Sequence, residues 1–213
     1  MQASDFKNPH TRWHYIAVLE RTNNLIFMHA ITAKENDKSF IFNEEVTKKL
    51  NWDKSIKTMF DYRMSFGIGD VYERIFQLCV ISLCSDIELF FKKTFEIFEY
   101  KKGSGKGFYQ RFNDVIKFLK AAGHDFSPIE DRLSKINLAF QVRHICIHNY
   151  GIVDDDFQKN TNTGKLGETY LIEQEQYREM YDAYVALLLH LDNHLPSGFS
   201  EQVRKCDEMC LTT

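Results

Sequence analysis

The chain is poor in residues that break helices and lacks the runs that build membrane spans. Proline occurs 3 times and glycine 10 times in 213 residues. That scarcity excludes an architecture of many short strands joined by tight turns and predicts long, uninterrupted helices. No apolar stretch reaches about 18 residues without a charge, so no transmembrane helix is expected. An excess of positive charge is missing too. The net charge of −3 excludes bulk, charge-driven nucleic-acid binding but leaves room for a local basic site. The 5 cysteines are odd in number and have no framework spacing, which fits a reducing compartment better than a secreted disulfide scaffold. Residues 1–5 show no basic segment leading into an apolar run, so no signal peptide and a cytoplasmic location are expected. There is no internal repeat and no low-complexity segment.

What is present is apolar and aromatic. Hydrophobic residues make up 44% and charged residues 27%, the balance of a globular protein. Aromatics reach 14%, with 18 Phe, which hints at more buried surface than one small monomer needs. The length suits one sizeable core, or one domain plus an appendage.

Apolar periodicity predicts helices over residues 11–33, 43–50, 71–100, 108–122, 127–148 and 173–194. The strongest is 71–100, where Tyr72, Phe76, Cys79, Leu83, Ile87 and Phe90 recur at spacings of three and four. Residues 151–172 read as a polar loop with a short strand at 169–172. The class is all-α, divided into an N-terminal helical extension (1–69), a helical domain (70–195) and a tail (196–213).

The most informative segment is Arg143-His144-Ile145-Cys146-Ile147-His148-Asn149-Tyr150. On a helical wheel, Leu133, Ile136, Ala139, Phe140, Cys146, Ile147 and Tyr150 all lie within about 80° of Arg143. A guanidinium at the centre of an apolar face cannot shed its charge and needs an acidic partner or a phosphate. His144 and His148 are one turn apart on one flank. Leu138, Val142 and Ile145 sit on the reverse face, so the helix is expected to be covered on both sides, a second subunit being one way to do it. Arg143 and His148 are about 140° apart on a straight helix. A helix ending near His148, or a dimer with facing motifs, would bring them together.

The order Arg, four residues, His, one residue, Tyr resembles the R-x4-H-x-Y signature of the HEPN superfamily (higher eukaryotes and prokaryotes nucleotide-binding domain). The resemblance covers residues 70–195. It implies an up-and-down helical bundle that dimerises through its motif helices. It also implies metal-independent endoribonuclease chemistry, in which the 2′-hydroxyl attacks the adjacent phosphate and leaves 2′,3′-cyclic phosphate ends. His148 would carry the proton and Arg143 would hold the phosphate. Asn149, Tyr150 and His144 would support or position the scissile group. No cofactor and no metal are implied. The implied setting is a toxin–antitoxin or antiviral-defence system with an antitoxin partner, or a nucleotidyltransferase that attaches AMP to Tyr150. The family also implies an acidic partner for Arg143 in Ser85-Asp86-Ile87-Glu88. The resemblance favours Glu88, the wheel puts Asp86 nearer the apolar stripe, and the choice stays open. The alternative is a catalytically inactive scaffold or binding module, with Arg143 and Glu88 a structural ion pair and His148 a helix cap.

Other constellations carry less. His190-x3-His194 with Cys206-x3-Cys210 has the spacing of a tetrahedral zinc site. Asp154-Asp155-Asp156 could hold a hard cation but reads better as a solvated loop. Gly103-Ser-Gly-Lys-Gly107 lacks the P-loop order and reads as a flexible connection. Cys146 and the Phe-rich stretch 90–98 read as core, the latter also as a candidate interface.

Overall fold

The computed structural model describes residues 2–67 and 71–196. Among them every regular element is a helix, and the all-α expectation holds. The long apolar stripe becomes α5, Val71–Ile97, roughly 40 Å of helix. It buries Phe76, Val80, Leu83, Cys84, Ile87, Phe90 and Phe91 completely. The motif helix is α7, Glu130–His148, entered through a 3-10 turn at Ser127–Ile129. The last helix is α9, Gln174–His194. α7 packs against both α5 and α9. Val142 and Ile145, on its reverse face, are fully buried within the chain. No second subunit is needed to bury these two side chains.

The N-terminal segment forms one wall of the same core. Asn8 caps α1, Pro9–His14, by accepting from the His10 N–H, and Pro9 takes a first-turn position where no amide hydrogen is needed. The helix then widens into a π segment, Tyr15–Asn24, and narrows again into α2, Leu25–Glu35. Phe6, Tyr15, Leu19, Phe27 and Ala30 join the core built by α5 and α9. Polar contacts reinforce the seam. The buried Asp192 carboxylate of α9 accepts from the Lys7 and Asn8 amides at 2.8 Å each and from the Thr11 hydroxyl. His10 Nε2 lies 2.9 Å from the Thr94 hydroxyl and His14 Nε2 2.6 Å from that of Tyr184. Burial lowers these imidazoles to about 4 for His10 and about 3 for His14.

Residues 36–67 form an appendage with α3, Glu44–Lys49, and α4, Met59–Ser65. Thr58 and Asp61 close α4 with a capping box, a start signal that apolar periodicity alone passes over. Only Asp37 and Ile56 are buried in this stretch. Asp37 pairs with Arg63 inside the appendage and ties it to the bundle by accepting from the Tyr72 hydroxyl of α5. Its rings form a surface string, Phe40, Phe42, Trp52, Tyr62 and Phe66, with successive centroids 5.8, 5.2, 4.8 and 4.9 Å apart.

α6, Phe112–Ala121, and α8, Asp155–Thr161, complete the helices. α8 corrects the polar-loop reading. Asp154 caps it by accepting from the Phe157 N–H, with Asp155 and Asp156 in its first turn, where carboxylates suit the helix dipole. The acidic run is therefore a helix start. No strand forms at 169–172, where a single bridge joins Ile152 and Thr169. No helix among the described residues is long and apolar enough to cross a membrane.

Candidate functional site

α7 ends where the chemistry-bearing residues sit, and its ending is built with care. The Asn149 N–H bonds to the Ile145 carbonyl at 2.8 Å, and the Asn149 side chain donates to the Ile152 carbonyl at 2.8 Å. Tyr150 and Gly151 then adopt φ of 53° and 81°, turning the chain back on itself. Glycine is required at the second position. A Cβ on Gly151 would lie 2.8 Å from Gln77 Nε2. Gln77 is itself fixed: it accepts from Arg74 at 2.7 Å and donates to the Tyr170 carbonyl at 2.9 Å.

Arg143 and Glu88 face each other across the α5–α7 seam, with Nη2 3.0 Å from Oε1 and side chains only 16% and 18% exposed. Asp86 turns elsewhere and accepts from Asn23 of the π segment. The open choice resolves to Glu88. Burial pushes the Glu88 carboxyl up, while Arg143 and a hydrogen bond from Gln110 pull it down; burial dominates. The ion pair is close but poorly directed. Glu88 Oε1 and Arg143 Nε are both buried without a hydrogen-bond partner. The unmet Nε is enclosed, so it is the rest of the guanidinium that Arg143 can offer to the cleft.

Arg143, His144 and His148 line one cleft of about 500 Å³, together with residues of α6, α8 and the connection before α6. Arg143 and His148 both lie within α7, about 140° apart around its axis, and both still reach the rim of this one cleft. The His144 and His148 rings are 4.9 Å apart, centroid to centroid. Asn149 and Tyr150 are not brought into the cleft. Asn149 is spent on the helix end, and Tyr150 is 86% exposed. Cys146 is buried, and burial raises its thiol, so it stays protonated as a core residue.

Sequence reasoning did not foresee most of the remaining lining, notably Gln110, Arg111, Asn113, Asn137 and Gln141. A signal for part of it exists: Asn137, Gln141, His144 and His148 recur at spacings of four, three and four. Gly107, from the flexible connection, also lines the cleft. Among the described residues no three His, Cys, Asp or Glu side chains gather as metal ligands. His190 and His194 stack at 4.4 Å, and His190 Nε2 lies 2.6 Å from the Asp125 carbonyl. Cys206 and Cys210, the other half of the zinc pattern, lie outside the described residues. No protein-family model matches the chain, and no curated protein and no solved structure matches it.

Proposed function

We propose that this protein is a metal-independent endoribonuclease of HEPN type, acting as a homodimer in a toxin–antitoxin or antiviral-defence setting. One observation carries the reading: Arg143 shares a cleft with two adjacent imidazoles. Transesterification needs these groups. One imidazole takes the proton of the 2′-hydroxyl as its oxygen attacks phosphorus. The other protonates the departing 5′-oxygen. Imidazole is the side chain best suited to do both near neutral pH. The Arg143 guanidinium receives the charge that builds on the phosphate oxygens. The products carry a 2′,3′-cyclic phosphate and a 5′-hydroxyl.

Dimerisation is supported by an uncharged exposed strip: Leu78, Ser85 and Leu89 on α5, with Ile147 and Tyr150 at the end of α7. The exposed Tyr150 hydroxyl is open to a modifying nucleotidyltransferase. The inactive-scaffold alternative has its own support in the Arg143–Glu88 pair, which a purely structural role would also explain.

Cleavage of a mixed RNA pool in EDTA separates the two. The enzyme reading expects cyclic-phosphate ends from the wild type and a loss of roughly 10²–10⁴-fold in His148→Ala. Arg143→Ala should fall comparably. A folded wild type whose intact mass shows no AMP, and which leaves the pool uncut, establishes the scaffold instead.

A further inference from the structure

The cleft is one end of a longer groove. A second cavity of about 450 Å³ continues from it between α6 and α7, sharing Phe112, Asn113 and Asn137 with the first. Phe112, common to both cavities, stacks on Phe140 of the first with centroids 5.4 Å apart. One wall is a single stripe of α7: Glu130, Ser134, Asn137, Gln141, His144 and His148. The spacing is four, three, four, three, four, so the stripe runs straight along the helix for roughly 27 Å. The other wall is α6, where Asn113, Lys117 and Lys120 share a face.

The charges along this groove are unequally engaged. Arg143 is paired with Glu88 and Arg111 with Asp114. Lys117 and Lys120 are exposed and form no ion pair among the described residues, although Lys120 lies near enough to Asp125 to help hold that carboxyl down. Their ammonium groups face a groove that also carries the carboxylates of Glu130 and Asp156. Between the lysines and the imidazoles lie carboxamides and a hydroxyl, side chains that offer donors and acceptors of the kind base edges present. Such a surface has too few exposed apolar anchors for a protein segment. A trough between two packed helices, whose axes lie about 8–10 Å apart, is too narrow for a duplex. Single strands present unstacked bases and accessible phosphates to sites of this kind.

We propose that the α6–α7 groove binds single-stranded RNA, with Lys117 and Lys120 holding phosphates that flank the scissile position and Asn113, Asn137 and Gln141 addressing bases. The inference deepens the ribonuclease reading and rests on it only at the Arg143–His148 end. Binding and cleavage are therefore measured separately.

The probe is a fluorescein-labelled 12-nucleotide RNA of mixed sequence, single-stranded or annealed to its complement, titrated by anisotropy onto full-length His148→Ala. Adding Lys117→Ala and Lys120→Ala should weaken single-strand binding at least tenfold. It should also flatten the slope of log K against log salt by about 1.4, the loss of two phosphate contacts. Both lysines are exposed, so the variants should keep the wild-type fold by circular dichroism. An unchanged Kd and salt slope, or preference for the duplex, overturns the groove even if the wild type cleaves RNA. Groove-dependent binding by a wild type that does not cut sustains the groove and sinks the catalytic reading. Failure of the single strand to bind at all overturns the groove and leaves the catalytic reading to the cleavage assay.

Discussion

The guanidinium of Arg143 and the carboxylate of Glu88 meet at 3.0 Å without a directed hydrogen bond. Such a pair is asymmetric under substitution. Glu88→Gln removes a carboxylate that burial already disfavours and leaves an amide oxygen for Arg143. Arg143→Ala strands a buried carboxylate. We expect Arg143→Ala to destabilise by roughly 2 kcal/mol and Glu88→Gln by about half as much. Restoring stability through the double substitution, in urea titrations of all four proteins, would report a coupled pair. Additive losses would mean that the two act independently. Arg143, His144 and His148 were legible in the sequence because their residue types are out of place in an apolar helix. The choice between Asp86 and Glu88 was not, because a wheel gives angles alone. It cannot show that Asn23 reaches Asp86 from a π turn 63 residues earlier in the chain.

Between elements, the end of α7 is held by a latch made from α5 and the following loop. Gly151→Ala puts a Cβ at φ 81° and drives it against Gln77. We expect a loss of about 1–2 kcal/mol, with amide exchange quickening first in residues 149–172; uniform quickening across the bundle would argue against a local latch. The long helices were legible from their three-and-four spacing. α8 was not, since its seven residues carry one buried apolar side chain, Phe157, and its start is written in capping carboxylates. The π segment was equally hidden. Its residues follow helical spacing on both flanks, and nothing in composition marks the wider turn. The polar stripe of α7 has helical spacing in the sequence, but amides at such positions look the same on any solvated helix face.

At the scale of the whole molecule, burial of His10 and His14 makes stability depend on acidity. Both folded values, about 4 and about 3, lie below the 6.5 of a free imidazole. As pH falls, the unfolded chain therefore takes up protons first, and the folded state loses ground from 6.5 down to those values. At pH 5 the loss is about 2 kcal/mol for each histidine. Urea midpoints should drop accordingly between pH 7.5 and 5. His14→Gln, which keeps a hydrogen-bonding side chain without the titration, should shrink the drop by about 2 kcal/mol; an undiminished drop would place its source elsewhere. The sandwiching of α7 between α5 and α9 also has a consequence in time. A ribosome delivers α5 before α7 but α9 only afterwards, at roughly 5–20 residues per second. For those few seconds α7 lacks one of its two supports. The nascent chain would carry Arg143 and His148 in a helix packed on one side only, so their cleft would take its final form only after α9 has followed.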